Sequence, residues 1–180
     1  MAVKFENAVI IPTGDEIRDG TVLDIDSAEI MTQLIKLSPR CRITRIPPER
    51  DCEEHLTEIV ASHSGADADL IVLIGGSGGG HRYSSTLGKD FTHSALVTLL
   101  KPCFTREIYG KNGHLWSKLV CGMCKETLVV NVPGPFTEAA AAIAAFRKSC
   151  ECNQGLEEIN ESMARAVFNQ YPQNVRANVL

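Results

Sequence analysis

The sequence predicts an α/β protein of three layers, α/β/α, in which helices cover both faces of a mainly parallel sheet. Two observations support this fold class. Short apolar runs of branched residues, with almost no polar interruption, are typical of strands buried on both faces. Segments with helical spacing alternate with these runs along the chain, as they do in βαβ units. The clearest runs are 8–11, 70–74 and 127–132, and the clearest helical segments are 28–37, 53–64 and 154–171.

The remaining elements have weaker signals. Ser27 is the expected cap of the helix over 28–37, and Pro39 follows that helix. Segment 41–46 alternates polar and branched residues, which favours a strand nearer the sheet edge. Further predictions are a helix over 92–100, a strand over 103–109, an alanine-rich helix over 138–146 and a loose tail over 172–180, whereas 115–120 is ambiguous.

Length and composition limit the possible functions. The 180 residues suit one main domain, expected over 1–150, followed by a helical extension and tail over 151–180. A formal net charge of -4 argues against a general nucleic-acid binder, which normally has a basic surface. No apolar run approaches the length of a membrane span, and the first residues lack a signal-peptide pattern. We therefore expect a cytoplasmic protein with a small-molecule partner and no membrane or nucleic-acid partner.

The seven cysteines are interpreted as reduced thiols. Their odd number, without a secretion signal, argues against a disulfide framework. Cys121 and Cys124 have the spacing of half a zinc site, but Cys150 and Cys152 do not supply a matching second half. Metal binding by these thiols is therefore the less favoured interpretation.

A glycine-rich loop follows the buried run Leu70–Ile74 and is the main candidate for a binding site. A buried strand that ends abruptly in glycines usually delivers its backbone to the carboxyl edge of an α/β sheet, where ligands bind. Successive N–H groups there can form a concavity for an anion such as phosphate. A tight turn without a ligand is the alternative, and the Gly-Lys-Ser/Thr ending of a P-loop is absent. The loop residues are Gly75, Gly76, Ser77, Gly78, Gly79 and Gly80.

Carboxylates follow the first strand, before the helix over 28–37. Asp24 and Asp26 stand where acidic side chains commonly cap a helix, and Asp15 lies in the exit loop of the strand. Capping and a functional role for Asp24 are equally open on this pattern, and Asp15 and Asp26 are weaker candidates for function.

Three segments in order resemble the molybdopterin-binding domain of molybdenum-cofactor biosynthesis. They are 11–15 with 24–27, then 75–78 with Arg82, and then 131–134. That family includes molybdopterin adenylyltransferases and, as one domain of a larger chain, molybdopterin molybdenumtransferases. The resemblance covers about residues 8–146. It implies a three-layer fold, usually assembled as a homotrimer, with a pterin site at the carboxyl ends of the strands.

The resemblance also implies roles for individual residues and a set of cofactors. Asp24 would be the catalytic and metal-holding carboxylate. In the adenylyltransferase branch, the terminal phosphate of molybdopterin attacks the α-phosphate of ATP in the presence of Mg²⁺. Molybdopterin, ATP and Mg²⁺ are therefore the expected cofactors. The expected pterin and phosphate contacts are Gly75, Gly76, Ser77, Gly78, Gly79, Gly80, Arg82 and Ser85, with Pro133 and Gly134 forming the opposite wall.

The sequence departs from the family pattern in the same loop. Tyr83 stands where the family usually has an Asp, and His81 where Pro or Asp is expected. The last motif reads Pro133-Gly134-Pro135-Phe136 instead of Pro-Gly-x-Pro, so Phe136 stands at the position of the second proline. Loss of the loop carboxylate should reduce metal-dependent catalysis more than binding, because backbone N–H groups still form the anion site.

Three functional hypotheses follow. The first is an enzyme that adenylylates molybdopterin, and the second is a non-catalytic module that binds or carries a pterin or nucleotide. The third is a relative of the amino-terminal domain of competence/damage-inducible proteins, which acts on nucleotide metabolites. The lack of an amidase-like carboxyl-terminal domain counts against the third hypothesis.

Overall fold

A seven-stranded sheet forms the centre of the computed structural model, which describes residues 5–65, 67–78, 90–172 and 176–180. The order across the sheet is β2-β1-β3-β6-β5-β4-β7. The first four strands in this order are mutually parallel, and the last three each run antiparallel to their neighbours. Five of the seven described strands therefore point the same way, which confirms a mainly parallel sheet. The strands are β1 Asn7–Pro12, β2 Arg42–Arg45, β3 Leu70–Ile74, β4 Cys103–Gly110, β5 Leu115–Cys124, β6 Thr127–Val132 and β7 Arg176–Val179.

Helices cover both faces of the sheet, so the predicted three layers are confirmed. Helices α2, α5 and α6 contribute to the apolar cluster on one face, and α3 and α4 contribute to the cluster on the other. No helix in the described part of the chain is long and apolar enough to cross a membrane. The helices are α1 Asp15–Arg18, α2 Asp26–Leu37, α3 Glu53–His63, α4 Thr92–Leu99, α5 Phe136–Glu151 and α6 Leu156–Phe168.

Strand β3 lies in the middle of the core, as its apolar run predicts. All five of its residues are 0% exposed. Val72 and Ile74 face α2 and α5, whereas Ile71 and Leu73 face α3 and α4. Because each such side chain contributes about 1.5–3 kcal/mol when it is removed from water, this strand is strongly held. The loop that follows it therefore starts from a rigid point.

The predicted loose tail is wrong, because residues 176–179 form strand β7 at the edge of the sheet. The N–H of Glu107 on β4 donates to the carbonyl of Leu180 at 2.6 Å, and Leu180 returns the bond at 2.8 Å. Pairing of this kind depends on the free edge of β4, more than 60 residues earlier in the chain. The sequence of the tail alone therefore does not predict its pairing with β4.

The start of α2 also differs from the prediction. The helix begins at Asp26, so Ser27 lies in its first turn and does not cap it. The carboxylate of Asp24 accepts a hydrogen bond from the Ser27 N–H at 3.0 Å, which is the capping contact. The ambiguous segment 115–120 belongs to strand β5.

The cysteines of the described residues are all free thiols. Burial raises the pKa of Cys121 and of Cys150 to about 12, so both remain protonated at neutral pH. Within the ranges that the structure describes, no group of three or more His, Cys, Asp or Glu side chains is arranged to hold a metal ion.

Replacement of Asn160 by leucine is expected to stabilise the protein. Asn160 lies on α6, is 0% exposed, and its amide nitrogen and oxygen have no partner among the described residues. Leucine has a similar volume and removes an unsatisfied buried amide, a change of about 1–2 kcal/mol in the free energy of unfolding. Urea unfolding measures this difference.

Asn131→Leu is the matched control, because Asn131 is equally buried but both ends of its amide are bonded. Its free energy of unfolding should fall by about 2–3 kcal/mol. A loss of stability in Asn160→Leu as large as that in Asn131→Leu would contradict the assignment of Asn160 as unsatisfied.

Candidate functional site

The loops after β1, β3 and β6 meet at one edge of the sheet, here called the carboxyl edge. The N–H of Thr13 donates to the carbonyl of Ile74 at 2.8 Å, and the N–H of Gly75 donates to the carbonyl of Val132 at 3.0 Å. A Cβ atom built on Gly134 would lie 3.8 Å from the Cα of Gly75. The structure therefore brings the start of the glycine loop next to the segment after β6. Of the predicted contacts, Gly79, Gly80, Arg82 and Ser85 lie outside the described residues, as do His81 and Tyr83.

Glycine is required at the first two positions of this loop. Gly75 and Gly76 have φ values of +92° and +58°, which favour glycine. A Cβ on Gly76 would lie 2.1 Å from the Oγ1 of Thr92, and one on Gly75 would lie 2.9 Å from the carbonyl oxygen of Thr13. The loop backbone is thus packed directly against α4 and the end of β1.

The loop is anchored through its carbonyl groups. The Gly76 carbonyl accepts from the N–H of His93 at 3.3 Å, and the Ser77 carbonyl accepts from the N–H of Lys118 at 2.7 Å. The Gly78 carbonyl accepts from the Nε2 of His93 at 3.1 Å. Burial lowers the pKa of His93, which favours the neutral imidazole in this contact.

The N–H groups of the same three residues have no such partners. No described residue accepts a hydrogen bond from the N–H of Gly76, Ser77 or Gly78. The Oγ of Ser77 accepts from the Oγ of Ser117 at 3.1 Å, which leaves the Ser77 hydroxyl hydrogen able to donate elsewhere. With these carbonyls engaged and these N–H groups without an acceptor among the described residues, this loop is a candidate site for an anion.

Asn131 supports the loop from β6, a role that sequence reasoning missed. The last ladder pair between β5 and β6 on this side is Cys121 with Val130. Beyond it, the Asn131 side chain accepts from the Val120 N–H at 2.6 Å and donates to the Lys118 carbonyl at 3.1 Å. The Lys118 N–H is thereby left for the glycine loop. A polar amide inside the otherwise apolar run of β6 was the available signal.

Both oxygens of the Asp24 carboxylate accept hydrogen bonds, Oδ1 from the backbone N–H of Ser27 and Oδ2 from two side chains. Its Oδ2 accepts from the Ser27 hydroxyl at 2.5 Å and from the Arg45 guanidinium at 2.9 Å. Burial opposes ionisation, but the hydrogen bonds from Ser27 and Arg45 outweigh it and hold the pKa of Asp24 below its ordinary value. These contacts fit the capping alternative. A Mg²⁺ ion at this carboxylate would have to displace the guanidinium, so the catalytic and metal roles of Asp24 stay predictions.

A second set of carboxylates lies near the start of α4. Asp51 accepts from the N–H of Phe91 at 3.1 Å. The pKa of Asp51 is raised to about 6, mainly by burial; the hydrogen bond from Phe91 opposes this shift, and the negative charges of Asp90, Glu16 and Asp15 add to it. Asp15 thus lies in an acidic environment, although no three of the described acids are placed to share a metal ion.

These features define an α/β protein with a glycine-rich loop, the candidate anion site, at the carboxyl edge of its sheet. Residues 9–149 match the model of a family described as a probable molybdopterin binding domain. The chain therefore belongs to this family of molybdenum-cofactor biosynthesis, which confirms the resemblance found in the sequence. No curated protein matches the sequence at a significant level.

Solved structures with the same fold are distant in sequence. A molybdopterin biosynthesis protein from Mycobacterium abscessus is 16% identical, with a TM-score of 0.63 over 87% of this chain and 97% of that one. The tungsten cofactor synthesizing protein MoaB from Pyrococcus furiosus is 14% identical, with a TM-score of 0.61 over 88% and 99%. The protein CinA from Thermoplasma acidophilum, described as of unknown function, is 18% identical, with a TM-score of 0.60 over 81% and 98%. At these identities the similarity shows the fold alone.

Gly76→Ala is expected to destabilise the protein, because the new methyl group collides with the Thr92 side chain and the backbone is left-handed. A loss of about 2–4 kcal/mol in the free energy of unfolding is expected from strain and overpacking together. Gly134→Ala is the control, since among the described residues its methyl group would meet only the Gly75 Cα, at an ordinary 3.8 Å. Equal stability of the two variants in urea unfolding would contradict this account of the loop.

Asp51→Asn is expected to be more stable than the wild type above about pH 6, and this advantage should vanish towards about pH 3. The folded protein holds the pKa of Asp51 at about 6, above its ordinary 3.8, so between these two values the unfolded chain loses the proton while the folded protein keeps it. The wild type therefore loses stability as the pH rises from about 4 to about 6, and below the ordinary pKa the group is protonated in both states. Thermal unfolding of both proteins from about pH 3 to 8 measures this difference, with Asp67→Asn, an exposed acid, as the control.

Proposed function

We propose that this protein binds molybdopterin and holds its terminal phosphate at the N–H groups of Gly76, Ser77 and Gly78. One observation carries the proposal: the carbonyls of these three residues are all anchored, whereas their N–H groups have no described acceptor. A phosphate at this position would complete those hydrogen bonds, and charge-assisted bonds of this kind are stronger than neutral ones. Membership of the molybdopterin-binding family supports the pterin as the rest of the ligand.

The pterin itself would lie against the surface that the glycine loop and the segment after β6 form together. Gly134 lies close to Gly75, so these two segments adjoin, and neither residue carries a side chain that would cover this surface. The Ser77 hydroxyl would donate to a phosphate oxygen while it accepts from Ser117. Pro133 would form part of the opposite wall. Arg82 and Ser85 remain proposed phosphate contacts, as do Gly79 and Gly80.

Adenylyl transfer is the finer activity within this proposal. In that reaction an oxygen of the bound phosphate would attack the α-phosphate of ATP and displace pyrophosphate, as the bond between the α-phosphate and the β-phosphate breaks; Mg²⁺, when bound, would supply compensation of the negative charge. The loop N–H groups would hold the attacking phosphate in place, which is a positioning role. No step is assigned to Asp24, because Ser27 and Arg45 already occupy its oxygens.

The non-catalytic binding module is the second candidate, and two observations favour it. Tyr83 replaces the usual loop carboxylate, and the Asp24 carboxylate is engaged by a guanidinium. Such a module would carry the pterin without transferring a nucleotide. The homotrimer and the cytoplasmic location expected from the sequence belong to the proposal in both forms.

Isothermal titration with molybdopterin tests the binding proposal. We expect saturable binding that weakens by about 100-fold when the terminal phosphate is removed, because a buried multidentate anion site contributes on the order of 3 kcal/mol. Absence of binding would overturn the proposal. Binding of the dephosphorylated pterin with unchanged affinity would overturn the placement of the phosphate.

The same sample with ATP and Mg²⁺ separates the two candidates. Formation of adenylylated molybdopterin would establish the enzyme, and a saturated complex without product would establish the binding module. Gly134→Ala, which keeps the fold, provides a check on the opposite wall: its methyl group should lower the affinity for the pterin in either case.

A further inference from the structure

The Oδ1 oxygen of Asp26 is buried and has no hydrogen-bond donor among the described residues. The residue is only 4% exposed, and its Oδ1 has no partner among the described residues. Buried polar atoms are nearly always hydrogen-bonded, so an exception needs an explanation. A donor supplied by a bound molecule is one such explanation.

Asp26 lies at the end of α2 that is nearer the carboxyl edge, where it could contact a ligand. The buried stripe of α2 contains Ile30 and Leu34, which pack against the sheet in the same cluster as Val72 and Ile74 of β3. Asp26 precedes Ile30 by four residues, so it lies on the same stripe, one turn closer to the carboxyl edge. Helix α5 lies on the same face of the sheet. It begins at Phe136, two residues after Gly134.

The neighbouring charged groups do not satisfy this oxygen. Asp24 repels it, and the guanidinium of Arg45 is bonded to Asp24 instead. A divalent cation is disfavoured as the occupant, because both oxygens of Asp24 are engaged and the described residues contain no cluster of three metal-ligating side chains. A ligand that carries an N–H donor would satisfy this oxygen.

We propose that Asp26 accepts hydrogen bonds from the 2-amino and ring N–H groups of the bound pterin and thereby selects an aminopteridine over its 2-oxo counterpart. This inference rests on the proposed function and adds the residue that recognises the ring. The amino-pyrimidinone edge of a pterin presents adjacent N–H donors that suit a carboxylate. A 2-oxo group in the same position would place a carbonyl oxygen against the carboxylate, with repulsion instead of a bond.

A matched pair of ligands tests the inference: 6-hydroxymethylpterin phosphate, and the lumazine phosphate in which oxygen replaces the 2-amino group. We expect the wild type to bind the pterin about 100-fold more tightly, as sites built around a buried polar group discriminate against ligands that leave it unpaired. Asp26→Asn should reduce this preference to less than about fivefold, because a carboxamide can present either a carbonyl or an N–H. Titration calorimetry in buffer with EDTA measures all four affinities.

Glu29→Gln is the control variant, since it removes the same charge from the first turn of the same helix but at a partly exposed position. Its preference should equal that of the wild type. An unchanged preference in Asp26→Asn, or a preference in the wild type that requires Mg²⁺, would overturn the inference. Equal, tight binding of both ligands by the wild type would overturn it while leaving the phosphate site intact. Binding of neither ligand would overturn the proposed function and the inference with it.

Discussion

The anchoring of the glycine loop through its carbonyl groups is the interaction on which the candidate site depends. A loop of this composition has many accessible conformations, and the loss of that freedom on folding is costly. Contacts from α4 and β5 offset the cost by holding three successive carbonyls. Because a peptide unit is planar, a fixed carbonyl also fixes the direction of the N–H on the same unit. The anion binding proposed for this loop would therefore be a consequence of its attachment to the rest of the fold.

The two halves of the sheet contribute differently to this arrangement. The parallel half brings the ends of β1, β3 and β6 to one edge, which positions the loops that follow them. The antiparallel half supplies β5, whose backbone is available to the loop only because Asn131 substitutes for the ladder at that level. The Asn131 side chain thus joins β6, which precedes the segment with Pro133 and Gly134, to β5, which holds the glycine loop.

The carboxylates at the start of α2 illustrate how burial and partners separate two adjacent acids. Asp24 is paired with a guanidinium and caps the helix, so its ionised form is stabilised. Asp26, two residues later, is buried beside that negative charge without a donor for Oδ1. The residue that the family resemblance selects is the satisfied one, and the residue with unused hydrogen-bonding capacity is its neighbour.

Sequence patterns predicted the buried strands well because a buried strand needs apolar residues along its own short stretch of sequence. The run of β3 is apolar at every position since both faces are covered, and the spacing of Ile30 and Leu34 records the single buried face of α2. The structural requirement for glycine at Gly75 and Gly76 could also be predicted, because both have positive φ values. The pairing of β7 with β4 could not, since an edge strand is specified by the free backbone of another strand rather than by its own side chains.

The sequence by itself determined the fold class, the family and the position of the glycine loop, because each of these is recorded in residue type and spacing along a short stretch. Only the tertiary structure decided that the carbonyls of residues 76–78 in that loop are bonded while their N–H groups have no acceptor among the described residues. It also decided that Asp24 is bonded to Arg45 and that Asn131 connects β6 to β5. Those outcomes depend on hydrogen bonds between residues 11 to 41 positions apart in the chain, whose partners are set by the packing of α4 and the strands against one another.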